Sequence, residues 1–362
     1  MRLLASVLKW FGYVLGAILF IFLTLLIIPE KEVVPAISPS GDTAYWAMSE
    51  GFNIAYRYLP AQADSVKTPV VYLHGGPGGY IHSSIVATLS ELTAFGYPVY
   101  LYDQRGSGLS DRLKNFSDIS IEKHLSDLHE IIDEQIGTER VILMGQSFGT
   151  NLIAHYAARH PERVEKMILS SPGSLSPPRM ELGRYVRLDS LYATPDSLEF
   201  IEPLNPFTES NRAVFKPKAI VATTGALLFD KKLISDKQVD RILNTMASKF
   251  TKGMVCDVEN VQPEEGGGGL YAYMATNNDD VPDIREKMKF IEIPVLVLQG
   301  QCDYVGFGRA YEYVDLYPNA SYTFIENAGH EIWWEEKETF LLNIINFLEA
   351  GGSSEAQTNS TL

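Results

Sequence analysis

Gly145-Gln146-Ser147-Phe148-Gly149 sets a serine between two glycines in the pattern G-x-S-x-G. Its flanks give it meaning. The apolar run Val141–Met144 predicts a strand, and Thr150–Arg159 predicts a helix. A serine on a tight strand-to-helix turn exposes its Oγ, and only glycine tolerates the crowding around it. The same turn aims a helix N-terminus at the negative charge that grows on an attacked carbonyl. The competing reading, a serine in an ordinary strand-to-helix turn, would need no partners elsewhere in the chain.

Partners are present. A serine hydroxyl becomes nucleophilic when a base takes its proton and an acid orients that base, in the chain order serine, acid, histidine for this kind of turn. After Ser147 the histidines are His155, His160 and His330. The first two fall in or just after the helix that follows the turn, where surface or helix-end roles suffice. His330 lies in the loop Asn327-Ala328-Gly329-His330 after the alternating run Tyr322–Ile325, where a base can reach across strand ends. Asp303 follows the apolar run Val295–Leu298, at the expected place for the acid. Asp279, Asp280 and Asp283 follow no such strand. The chemistry implied is acyl transfer through Ser147, His330 and Asp303.

Two further loops follow predicted strands. His74-Gly75-Gly76-Pro77-Gly78-Gly79 comes after Val70–Leu73, and its glycines allow the backbone close to a substrate. The Gly76 N–H, with that of Phe148, is expected to hold the oxyanion, where losing one donor costs about 3–4 kcal/mol. Asp103-Gln104-Arg105-Gly106-Ser107-Gly108 comes after Val99–Tyr102, and Asp103 and Arg105 are expected to pair with each other and brace that loop.

These residues need a scaffold, and the hydropathy pattern supplies one. Thr43–Met48 and Asn53–Leu59 alternate like half-buried strands around the turn Glu50-Gly51. Val70–Leu73, Val99–Tyr102, Val141–Met144, Met167–Leu169 and Val295–Leu298 are short and wholly apolar, as strands covered on both faces are. Ile121–Ile136 sets Leu125, Leu128, Ile131, Ile132 and Ile136 on one helical face. Strand alternating with helix predicts a mostly parallel α/β sheet. The alternation stops after Pro172 and resumes at Pro294, so about 115 residues are inserted between two strands, too many for a loop. The expected organisation is an N-terminal membrane anchor over 1–31, a core over 32–173, an inserted cap over 174–289, more core over 290–349, and a disordered tail over 350–362.

The formal net charge is −15, which argues against nucleic acid as a partner. No H-x-x-x-H or H-E-x-x-H pattern asks for a metal, and no cofactor is implied. Cys256 and Cys302 read as unpaired small apolar side chains, with one bridge open to them in an oxidising compartment. Trp10 to Ile28 is a run of 19 residues without a charge, long enough to span a bilayer as a helix. Arg2 and Lys9 precede it, and Lys31 after it is flanked by Glu30 and Glu32, so the N-terminus is expected in the cytoplasm and the remainder in a periplasm or outside. A cleaved signal peptide is the rival reading; the small-x-small triplet Ala36-Ile37-Ser38 lies far from the apolar run and directly before Pro39. Residues 30–41 read as a linker.

Taken together, H-G-G-P-G-G at His74–Gly79, D-Q-R-G-S-G at Asp103–Gly108, the turn at Gly145–Gly149 and the later Asp303 and His330 resemble the α/β-hydrolase family, and within it the proline iminopeptidase group. The likeness covers residues 50–173 and 290–349 by motif. It implies an α/β-hydrolase fold, a mostly parallel sheet flanked by helices with a cap inserted, and release of an N-terminal proline or small apolar residue through an acyl-enzyme. In that group cap carboxylates hold the substrate's free amine. Glu202, Glu209, Glu259, Glu264 and Glu265 are the candidates here, though such residues are more often solvated. Phe148 stands where the group usually carries tryptophan. The rival functions are an esterase or other acyl hydrolase on the same scaffold, acting on a small peptide or ester substrate, and a non-catalytic binding protein.

Overall fold

The computed structural model describes residues 2–181, 184–201, 216–277 and 279–350. The 351–362 part of the expected tail, with Glu202 and Glu209, lies outside them.

Eight strands form one sheet: β1 (Ala44–Ala47), β2 (Asn53–Leu59), β3 (Val70–Leu73), β4 (Val99–Tyr102), β5 (Val141–Gln146), β6 (Val164–Ser170), β7 (Val295–Gly300) and β8 (Ala320–Ile325). Their order is β1-β2-β4-β3-β5-β6-β7-β8. The β1–β2 and β2–β4 pairs are antiparallel and the others parallel. The short apolar runs take central places because every residue of β3, β5 and β7 is buried. Alternate side chains feed opposite layers. Val71, Leu73, Val141 and Leu143 pack with Leu125, Leu128, Leu152, Tyr313 and Leu316 on one face. Val70, Tyr72, Ile142 and Met144 pack with Ile85, Leu89, Phe340 and Ile344 on the other. The helices carrying those residues are α2 (Ser83–Leu89), α3 (Ile121–Glu130), α4 (Phe148–Ala157), α8 (Phe307–Leu316) and α9 (Lys337–Glu349), while α1 (Arg2–Ile27), α5 (Pro217–Phe229), α6 (Asp236–Phe250) and α7 (Leu270–Asn277) stand outside these two layers.

The chain leaves the sheet after β6 and returns at β7, and these two strands are neighbours. Between them α5, α6 and α7 build a small core of their own from Ala222, Ala226, Val239, Leu270, Tyr271 and Met274. Gly266–Gly269 lets this segment close on the motif loops: Gly267 O accepts from Gly108 N at 2.7 Å, and Gly269 N donates to Gly78 O at 2.8 Å. A Cβ on Gly269 would lie 2.2 Å from Gly106 O.

Four expectations change. Asp103 and Arg105 do not pair. The Asp103 carboxylate accepts from Ile81 N and Leu109 N, both at 2.7 Å, and so clamps two loops to each other. Arg105, wholly buried, reaches Asp127 of α3 (Nε to Oδ2 2.6 Å), the Asp118 carbonyl and Glu50. The backbone turns between residues 103 and 105, so the two side chains diverge to different elements. Cys256 and Cys302 form a disulfide with Cα atoms 5.2 Å apart, because the inserted segment folds back over the loop after β7. His155 is fully buried on α4, its Nε2 2.9 Å from Ser176 O, since the segment after β6 covers that helix. Residues 30–41 are not a free linker: Ile37 N donates to Gly266 O, and Glu30 N to Gln238 Oε1.

Removing Asp127 leaves a buried guanidinium with one carboxylate at its edge. Asp127→Ala is expected to lower unfolding free energy by about 3 kcal/mol in urea titrations, with Asp127→Glu retaining part of it.

Candidate active site

Ser147 ends β5 and begins α4 with φ 51° and ψ −117°, a backbone shape that L-residues rarely hold. It persists because its peptide groups are tied on both sides. Ser147 N donates to Ser170 O at 3.0 Å, and Ser147 O accepts from Thr150 N, Thr150 Oγ1 and Gly173 N at 3.0, 2.7 and 3.1 Å. The turn also needs room: a Cβ on Gly149 would lie 2.2 Å from Leu73 O.

Asp303 and His330 sit on the loops after β7 and β8, adjacent parallel strands. His330 Nδ1 lies 2.7 Å from Asp303 Oδ1, which also accepts from Val305 N at 2.9 Å. Both side chains are almost fully buried, His330 at 1% and Asp303 at 4% exposure. Burial alone would lower the His330 pKa; the Asp303 charge and hydrogen bond oppose it, and the net shift is upward. The structure therefore joins two of the three expected residues directly. Ser147, 8% exposed, stands at the same end of the sheet, and no hydrogen bond joins its Oγ to the ring among the described residues.

The glycine-rich loop runs against the serine. A Cβ on Gly75 would lie 3.1 Å from Ser147 Cβ, so the Gly75 backbone is beside Ser147. His74 holds that loop. Its Nε2 accepts from Gln104 N at 3.0 Å, which leaves Nδ1 to donate to Gly75 O at 2.8 Å. Gln104 Nε2 donates back to His74 O at 2.8 Å. Burial pushes the His74 pKa down to about 4, so the ring stays neutral as this bonding requires. Phe148 opens α4, with its side chain buried.

Several contributors had no signal in the sequence. His330 N donates to Met254 O at 2.7 Å. Glu335 gathers Gly329 N at 2.8 Å, Cys256 N at 2.9 Å and Asp257 N at 2.8 Å, and so ties the histidine loop to the inserted segment. The disulfide ties the acid loop to the same place, since Cys302 precedes Asp303. Phe250 packs on Tyr304, and Tyr304 on His330, with ring centres 4.9 and 4.5 Å apart. Among the inserted carboxylates Glu264 is not simply solvated: it is half-buried and accepts from Tyr80 OH at 2.8 Å and Gly266 N at 3.1 Å. Glu265 accepts from Ser83 N at 3.0 Å, while Glu259 is exposed. Among the described residues no cluster of three or more His, Cys, Asp or Glu could hold a metal.

Residues 68–337 match the family described as alpha/beta hydrolase fold. A proline iminopeptidase from Saccharolobus solfataricus is 27% identical over 301 residues, covering 83% of this chain and 90% of its own. A 2-hydroxy-6-oxononadienedioate/2-hydroxy-6-oxononatrienedioate hydrolase from Cupriavidus pinatubonensis is 26% identical over 325 residues, covering 87% and 98%. The structure of an esterase from Exiguobacterium antarcticum superposes with a TM-score of 0.55 at 18% identity, over 85% of this chain and 99% of that one, a likeness of fold. With the eight-stranded sheet, the strained serine turn and this family match over most of its length, the chain belongs to the α/β-hydrolase family.

Proposed function

We propose that this hydrolase uses Ser147 as nucleophile, His330 as general base and Asp303 as the acid that orients it. The observation that carries the reading is the buried His330–Asp303 hydrogen bond at the sheet end that also holds the Ser147 turn. Ser147 Oγ attacks the substrate carbonyl while His330 Nε2 takes its proton. Asp303 keeps the Nδ1–H tautomer and stabilises the imidazolium. The N–H groups of Gly76 and Phe148 receive the oxyanion. His330 returns the proton to the leaving group, and water then clears the acyl-enzyme by the reverse sequence. Residues 174–289 act as a cap over this end of the sheet.

For substrate we favour a peptide with a free N-terminal proline or small apolar residue. The H-G-G-P-G-G and D-Q-R-G-S-G loops support it, as do the iminopeptidases among the relatives. So does the Glu331 carboxyl, which follows His330 in the chain. Burial pushes the Glu331 carboxyl up to about 7; His330 pulls it down, while the Asp303 and Glu264 carboxyls add to the rise. An ammonium group there would relieve that repulsion. The second reading, an ester or other acyl substrate without an amine, draws on the dienedioate hydrolase relative at nearly equal identity.

We further infer that α1 anchors the protein, with the catalytic part on the periplasmic or outer face. Trp10–Ile27 has mean hydropathy 2.4, and the Cys256–Cys302 disulfide fits an oxidising compartment.

Ser147→Ala is expected to abolish hydrolysis of both proline p-nitroanilide and p-nitrophenyl butyrate while leaving the circular dichroism spectrum unchanged; a fully active variant would refute the mechanism. Cleavage of the anilide by the parent supports the aminopeptidase reading, and cleavage of the ester alone supports the second. Asp303→Asn should lower kcat by roughly 10⁴-fold, because the ring loses the partner that sets its tautomer. A base must be neutral to accept a proton, so activity falls as pH drops through the His330 pKa. Since that pKa is raised, the acid limb of kcat/KM should have its midpoint above 6.5, the ordinary histidine value.

A further inference from the structure

From Trp10 to Ile28 the side chains of α1 and its end are exposed, apart from Phe22 and Leu26. Those two lie one turn apart and are half-buried where α5 runs alongside. The end of α1 is fastened as well. Lys218, near the start of α5, donates through Nζ to the Leu25 carbonyl at 3.3 Å and to the Ile28 carbonyl, groups that a helix C-terminus leaves unpaired. Lys216 pairs with Glu30 at 2.7 Å. Gln238 of α6 accepts from Glu30 N, and Arg241 binds the Glu30 carbonyl and the Glu32 carboxylate.

This fastening sets the depth of the start of α5. Phe22 precedes Ile27 by five residues, so it lies about 7–8 Å inside the end of the apolar span at 1.5 Å per residue. A helix packed at that level lies within the 5–10 Å layer that interfacial helices occupy. The composition of α5 suits that layer. Residues 216–229 contain no acid. Leu227, Leu228 and Phe229 at its C-terminal end are 47, 70 and 62% exposed, and Leu233 just beyond is 56% exposed. Exposed Lys231 offers a cation to headgroup phosphates.

We propose that α5 is an interfacial membrane helix: its C-terminal apolar residues enter the same phospholipid bilayer that α1 crosses, so the inserted segment rests on the membrane at a second point. The proposal rests on α1 being a retained anchor. Continuity with α1 selects lipid, since the exposed apolar face of α5 begins at Ile220, two residues after the Lys218 that is fastened to the end of the spanning segment, and runs at helical spacing to Leu227 and Leu228.

The test uses the full chain in vesicles of phosphatidylcholine and phosphatidylglycerol. The two native cysteines are joined to each other, so one introduced cysteine can carry an environment-sensitive dye. The positions are Ile18→Cys in α1, Leu228→Cys in α5 and Val258→Cys, another exposed apolar site in the inserted segment. Nitroxide-bearing lipids should remove most of the emission at positions 18 and 228 and leave position 258 bright. Quenching at 18 with none at 228 overturns the proposal and leaves the anchor standing. No quenching at 18 refutes the anchor, and the proposal falls with it. A dye at 228 shielded from aqueous iodide yet untouched by lipid nitroxide means that a second copy covers the patch, which also overturns it.

Discussion

Everything at this end of the sheet depends on holding one serine in a backbone shape that serines avoid. At φ 51° the Ser147 turn is stable only because four hydrogen bonds from β6, α4 and the loop after β6 fasten its peptide groups. Those elements are themselves fixed by the two apolar layers of the sheet. Strain of this kind survives where surrounding structure over-determines it, and it sets the Ser147 side chain at a helix N-terminus. The glycines at 75 and 149 follow from the same constraint: side chains there would collide with Gln146 or with the β3 backbone.

The second demand is that the histidine and aspartate proposed as base and acid arrive together from separate strands. The parallel register of β7 and β8 brings their carboxyl ends side by side, and the Asp303–His330 bond joins the loops. The protein adds braces from the inserted segment. Met254 O fixes the His330 backbone, Glu335 bonds three peptide N–H groups across the two segments, and Cys256 is bonded to the residue before Asp303. The insert is thus part of what positions His330 and Asp303. Its attachment to the end of α1 through Lys216, Lys218, Gln238 and Arg241 links the site, through the same segment, to the apolar N-terminal helix.

Features that depend on local pattern were legible from the residues alone. The strands at 70–73 and 99–102 have the ends read from hydropathy, because burial on both faces demands unbroken apolar runs, and the half-buried strand at 53–59 has the ends read from its alternation. The face Leu125, Leu128, Ile131 and Ile132 is buried as its helical spacing predicts. The elbow was legible because its glycines answer a local steric need. Asp303 and His330 were legible through chain order, and their contact is a tertiary fact. Only the folded chain decided the partners of long side chains and the contacts of the insert. Arg105 could have met Asp103 two residues away, yet the turn sends it to Asp127, and Asp103 serves backbone N–H groups instead. Cys256 and Cys302 lie 46 residues apart with no pattern to join them, and they meet because the insert folds back across the strand ends. Local sterics and periodicity are written in neighbouring residues; pairing between distant segments depends on how whole layers pack, which no short stretch of this sequence contains.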